Sequence, residues 1–236
     1  MLSSFWTSYS AYAKLVDYKV EGKLYEGYYL GAGKKNSLVL ILHDWDGLTD
    51  YEVKRAKMLQ KDGYSVFAAD LFGKGVRPTE VKDKKQHTGE LYKDRKKMRA
   101  LVQGAVDTAK KLGANTQNIV VMGYCFGGAA VLEFARSGAK ALGFAASHGG
   151  LKTPNGQNYG QTQGKVLIFH GSADSAISLD DFAQLGKELE QQKVDHEMVT
   201  YSGAPHAFTV FGSKSYQKVA DSRSWKRFSE FLAEAL

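Results

Sequence analysis

The 236 residues include one cysteine, Cys125, and its neighbours single it out. Gly123 and Gly127 lie two residues before and two after it, between an apolar run at 119–122 and a helical pattern from 128. That spacing reads as a strand, a sharp turn and a helix, with glycines where a Cβ would obstruct the turn. A residue at the apex stands at the sheet's edge and at the first turn of a helix, where the macrodipole favours a thiolate. The competing reading is a small apolar residue packed in the core, the commoner fate of a free cysteine. A thiolate nucleophile needs a base held by an acid, and both follow in the chain. Asp174 lies in the turn after the apolar run at 165–169, and His206 lies in a loop marked by Gly203 and Pro205.

His43, His148, His170 and His196 lie at or near strand ends and His87 in a basic loop, so all five read as scaffold. A metal site from His43, Asp44 and Asp46 is disfavoured, because neighbours on an extended segment alternate faces. No metal and no cofactor are expected. A single cysteine also excludes a disulfide framework and a Cys-rich zinc site.

The formal charge is +7, and residues 74–99 hold ten Lys or Arg against four Asp or Glu, a net of +6. Without interleaved aromatic residues this segment reads as a solvated loop and helix face, not a nucleic-acid platform. No run of 18 apolar residues occurs, so no membrane span is expected.

The elements that must position these residues follow from periodicity. Alternating segments at 15–20 and 24–30, separated by Glu21 and Gly22, predict an antiparallel hairpin. Short apolar runs at 37–42, 65–69, 118–122, 141–146, 165–169 and 196–201 suit strands buried on both faces. Helical spacing links Met98, Leu101, Val102, Ala105, Val106, Ala109 and Leu112, then Phe182, Leu185 and Leu189, then Trp225, Phe228, Phe231 and Leu232. The expectation is an α/β fold: a doubly wound, mostly parallel sheet with an N-terminal antiparallel hairpin, helices on both faces and no large cap domain. Residues 1–14 are set aside as an extension or processing remnant, and 15–236 form one domain.

The glycine-flanked Cys125, His170-Gly171 with Asp174, and His206-Ala207-Phe208 together resemble the dienelactone hydrolase family of the α/β-hydrolase fold, from about residue 20 to 231. The order nucleophile, acid, histidine is that of α/β-hydrolases. The resemblance implies a Cys125, Asp174, His206 triad and an oxyanion hole formed by the backbone N–H groups of Phe126 and Trp45. Asp44 stands where the family's name-giving enzymes carry a glutamate that contacts the resting cysteine. Val210 stands where they carry a carboxylate-holding arginine, which points to neutral substrates. Tyr124, Phe72 and Phe208, with Val210, are the expected pocket residues.

The implied activity is hydrolysis of esters or lactones with enol or aryl leaving groups, through an acyl-cysteine. Promiscuous, metal-free phosphotriester hydrolysis is a secondary expectation. A non-catalytic ligand-binding protein or a thiol redox sensor is the alternative. The expected partner is a small-molecule ester or lactone, with no nucleic acid or membrane, for a monomer or homodimer. A free reactive cysteine points to the cytoplasm, while the small residues at 10–13 leave a periplasmic precursor open.

Overall fold

The computed structural model describes residues 12–32 and 37–236, in which eight strands form one sheet. Strands β1 (Tyr12–Val20) and β2 (Lys23–Gly31) pair as an antiparallel hairpin. Glu21 and Gly22 turn the chain with φ of 49° and 81°, both positive as a tight two-residue hairpin loop requires. The hairpin starts at Tyr12, so the expected boundary after Lys14 falls inside β1; residues 1–11 lie outside the described residues.

The remaining strands are β3 (Ser37–Leu42), β4 (Ser65–Ala69), β5 (Asn115–Tyr124), β6 (Lys140–Ser147), β7 (Gln163–Gly171) and β8 (His196–Tyr201). The sheet order is β1-β2-β4-β3-β5-β6-β7-β8, with β2 antiparallel to β4 and all pairs from β4 to β8 parallel. From β3 the chain steps to β4 on one side and returns to β5 on the other. That reversal opens a crevice beyond the carboxyl ends of β3 and β5, the usual ligand position in such sheets.

Six helices cover the sheet: α1 (Asp50–Lys61), α2 (Val81–Lys93), α3 (Arg95–Lys111), α4 (Phe126–Arg136), α5 (Leu179–Gln191) and α6 (Lys218–Ala235). Alternation along β3 shows how the faces divide. Leu38, Leu40 and Leu42 join a core with residues of α2, α3, α4 and α5, whereas Val39 and Ile41 join a second core with residues of α1 and α6. Among the described residues no cap domain stands over the crevice.

His87, expected in a basic loop, lies within α2 with its ring stacked on Phe72 at 5.2 Å between centroids. The sequence there has few apolar residues, but Leu91 and Thr88 are buried, which is enough to seat the helix.

Candidate active site

Cys125 sits between the end of β5 and the start of α4 with φ 50° and ψ −112°, a strained conformation for a residue with a Cβ. Close packing around the turn explains its glycines. A Cβ on Gly123 would lie 2.3 Å from the Gly127 carbonyl oxygen, and one on Gly127 would lie 2.2 Å from that of Leu42. The Cys125 N–H donates to Ser147 O on the neighbouring strand at 3.1 Å, which ties the apex to β6.

Three side chains from three different strand ends form one hydrogen-bonded chain. His206 Nε2 lies 3.1 Å from Cys125 Sγ, and its Nδ1 lies 2.8 Å from Asp174 Oδ2. The other carboxylate oxygen of Asp174 accepts the N–H groups of Ala176 and Ile177 at 2.8 and 2.9 Å. Burial works to raise the Asp174 carboxyl, but the bonds from His206 and the two amides hold it below the ordinary carboxylate range. Burial works to lower His206, yet its bonds to Asp174 and Cys125 prevail and its pKa is pushed up to about 10. Both partners therefore favour the charged form of the His206 ring over the neutral one.

The loop after β3 is braced from below. Leu71 N–H donates to His43 Nε2 at 3.0 Å, and His43 Nδ1 donates to the Asp44 carbonyl at 2.6 Å, which fixes the imidazole's tautomer. Buried Glu52 accepts Thr49 N–H at 2.8 Å and Asp44 N–H at 3.4 Å, joining the loop to the first turn of α1. Trp45 is half-buried in this loop, with Lys84 Nζ 5.2 Å from its ring centroid. Phe126 is the first residue of α4, so its N–H lies outside the helix's own ladder.

The Asp44 side chain accepts Asp46 N–H at 2.8 Å and so closes on its own loop, while the cysteine sulfur bonds His206. With one methylene fewer than glutamate, the carboxyl stays with its own backbone. Burial pushes its pKa up to about 6 and that of Glu52 to about 8, and Asp44 further raises Glu52.

Of the expected aromatic lining, Tyr124, Phe72 and Phe208 are buried. Tyr124 is 1% exposed and packs against Tyr51 at 4.9 Å on the α1 and α6 face, because alternation along β5 turns it away from the crevice. Phe208 is fully buried against His148 and Tyr201, and Val210 packs on the same core. Phe72 is buried beneath Phe126 and His43.

The open cavity beside the cysteine has other walls. Its volume is about 200 Å³, and its lining includes Tyr92, Arg95, Ala129, Arg136, Leu151 and Ile177. It abuts the hydrogen-bonded chain: Ala129 N–H donates to Cys125 O at 3.3 Å, Ile177 N–H caps Asp174, and the Tyr92 ring meets Phe126 edge-on at 5.5 Å. Arg95 belongs to the basic run read as a solvated face, so only its three-dimensional neighbours show its placement.

A second group absent from the sequence reading lies behind His206. His148 Nε2 is 2.7 Å from Thr209 Oγ1, which is 2.7 Å from Tyr51 Oη, and Arg55 donates to Thr209 O at 2.8 Å while pairing with Asp221. These partners come from distant parts of the chain and share no spacing signal.

An open doubly wound sheet with a glycine-flanked cysteine elbow defines an α/β-hydrolase. Within that class, the family model for the dienelactone hydrolase family matches residues 26–236, and the chain belongs to this family. A solved dienelactone hydrolase-like promiscuous phosphotriesterase from metagenomic libraries is 27% identical, with a TM-score of 0.87 over 95% of this chain and 98% of that one. The solved structure m3DLH is also 27% identical, with a TM-score of 0.89 over 96% and 99% of the two chains. A provisionally named carboxymethylenebutenolidase of Yersinia pestis is 21% identical over 84% of this chain and 78% of that protein. The protein is accordingly a hydrolase of the dienelactone hydrolase type.

No helix among the described residues is long and apolar enough to cross a membrane, and no group of three or more potential ligand side chains among them could hold a metal ion.

Proposed function

We propose that the protein hydrolyses carboxylic esters or lactones with enol or aryl leaving groups through an acyl-cysteine intermediate. The observation that carries this reading is the single chain from Cys125 Sγ through His206 to Asp174, at the crevice where the sheet order reverses. Cys125 attacks the carbonyl as a thiolate paired with the His206 imidazolium. The carbonyl π electrons move to oxygen, and the Phe126 and Trp45 N–H groups receive the resulting oxyanion. When the tetrahedral intermediate collapses, the C–O bond to the leaving group breaks and His206 Nε2 gives its proton to the departing oxygen. The neutral imidazole then takes a proton from water, whose oxygen attacks the thioester; collapse expels the Cys125 thiolate and restores the imidazolium. Asp174 keeps Nδ1–H pointed at itself throughout.

Thiolate is a better leaving group than alkoxide, so an attacked amide would return to substrate, and peptides are poor candidates. Activated esters avoid that reversal. Phosphotriester hydrolysis is a second reading, favoured by the 27% identical promiscuous phosphotriesterase with the same fold. The same thiolate would displace an aryloxide from phosphorus.

Brief incubation with an aryl ester, acid quench and peptide mapping test the proposal. An acyl group on the peptide containing Cys125 supports it. Oxidation of Cys125 without acylation would favour a redox sensor, and neither modification, with ligand retained in the crevice, a binding protein.

A further inference from the structure

Two strands end the sheet, and only one of them is guarded. Edge strand β1 carries Lys14, Asp17 and Lys19, charges that oppose pairing with another chain. Edge strand β8 has neither lysine nor proline, and its register with β7 runs from His196 to Tyr201 without a bulge. Its open side follows from its bonds to β7. Val166 N–H donates to Asp195 O and Ser172 N–H to Tyr201 O, so the odd-numbered residues turn their backbone towards β7. The N–H and C=O groups of His196, Met198 and Thr200 therefore point outwards, and among the described residues no strand lies beyond them.

Beside this edge runs a groove of about 540 Å³, whose lining includes Val199 and Tyr201 of β8 with Val219, Arg223 and Arg227 of α6. Val219 is 63% exposed there. The surface charges of α6 run against its own dipole: Arg223 stands in the N-terminal half, Glu230 and Glu234 stand towards the C-terminus, and the last turn holds no base. Asp221, the acid of the first turn, is turned inwards to Arg55. Arg223 has no carboxylate in ion-pair range among the described residues. Arg227 is divided among Glu197, Glu230 and Glu234, and Lys165 and Lys226 add only contacts of 3.7 and 3.6 Å. Such a helix is poorly matched to itself and well matched to an antiparallel copy.

We propose that β8 pairs antiparallel with β8 of a second copy of this chain, about a two-fold axis at Met198, so that two eight-stranded sheets become one. In that register His196 lies opposite Thr200 of the partner subunit and Glu197 opposite Val199 of the partner subunit, which keeps the two glutamates from facing each other. The axis is perpendicular to the sheet, so both α6 helices lie on one face and run antiparallel. The Arg223 end of each then stands beside the Glu230 end of the other, and opposed dipoles and opposite charges meet. An extended peptide would match the open backbone but not the inverted charges of α6. The clamped strand is also the one from which the His206 loop departs, and at the groove's end Gln217 Nε2 donates to Gly203 O of that loop at 2.9 Å. The pairing stands independently of the proposed chemistry.

Sedimentation equilibrium on the full chain, with hydrogen exchange resolved by NMR, tests the pairing. The wild type is expected at twice the chain mass, with slow exchange at the His196, Met198 and Thr200 amides. Arg223→Glu and Glu230→Arg should each weaken the dimer at least about tenfold, because each change acts twice about the axis and sets like charges together. Exchange at the three amides should then become fast. Combining Arg223→Glu with Glu230→Arg should recover most of the affinity. Thr200→Pro removes an outward N–H that no bond within the sheet uses, so it should abolish the dimer with a melting temperature close to that of the wild type. The charge variants lie on exposed helix surface and decide the matter even where the proline unfolds the strand.

A single-chain mass at concentrations up to about 1 mM overturns the proposal. So does a dimer indifferent to both charge reversals, or one whose three edge amides exchange fast, since association would then use another surface. Slow edge exchange in a species of single-chain mass would mean that a segment of the same chain covers β8, and overturns it too.

Discussion

The imidazole of His148 meets that of His206 edge-on, with ring centroids 5.3 Å apart and planes inclined at 69°. Burial, reinforced by the His206 charge, keeps His148 neutral, so it does not compete for the proton held by its neighbour. Its Nε2 bond to Thr209 joins β6 to the loop that carries His206. His148 is thus a positioning residue for the proposed base.

Thr209→Val tests that role, because it keeps the side-chain shape while removing the hydroxyl shared by Tyr51 and His148. A small displacement of a reacting group can cost up to about 100-fold in rate. The expected result is a kcat lower by about tenfold with KM nearly unchanged and a displaced pH profile; an altered melting temperature with normal kinetics would assign the network to stability alone.

Asp174→Asn removes the charge that holds His206 Nδ1–H and permits the opposite tautomer. A loss in kcat on the order of 10³ to 10⁴ is expected from steady-state assays with an aryl ester. Without the carboxylate, the His206 pKa should also fall from its raised position, which NMR titration of the ring reports.

Asp44 offers a stability test with a definite sign. Burial pushes its carboxyl up to about 6 in the folded chain, against about 3.9 unfolded. A raised carboxyl stabilises the fold when protonated, and the contribution is lost as pH rises between these values. Asp44→Asn removes the buried charge and can still accept Asp46 N–H through its amide oxygen. It should raise stability at pH 8 by about 1–3 kcal/mol, a melting-temperature gain of several degrees, and change it little at pH 4. A loss at pH 8 would show that the charge is better compensated than its surroundings imply.

Gly127→Ala would place a Cβ 2.2 Å from Leu42 O. Neither backbone has room to yield, so the elbow must shift or the chain must unfold. A destabilisation of about 2–4 kcal/mol is expected in urea titration, and any folded fraction should acylate slowly.

The hydrogen-bonded set of Cys125, His206 and Asp174 was legible in the sequence because each member depends on local signals: glycines around Cys125, a strand end before Asp174, and a Gly/Pro-marked loop before His206. The parallel strands were legible as apolar runs for the same reason. The pocket was not. Arg95 looks like any member of a basic run until α4 brings Glu133, 38 residues later, against it. Tyr124 adjoins Cys125 in sequence but faces the opposite side of the sheet, so adjacency misled where alternation decided. The network of His148, Thr209, Tyr51 and Arg55 joins residues up to 158 apart, and no periodicity records it.

The proposed reaction requires Cys125 to carry the acyl group during turnover. Rapid-quench mass spectrometry of the wild-type chain with an aryl ester, alongside Cys125→Ala, tests it most directly. A transient mass increase equal to the acyl group, mapped to Cys125, is expected, with loss of both adduct and turnover in Cys125→Ala. Undiminished turnover in that variant, or an acyl group mapped to another residue, would contradict it.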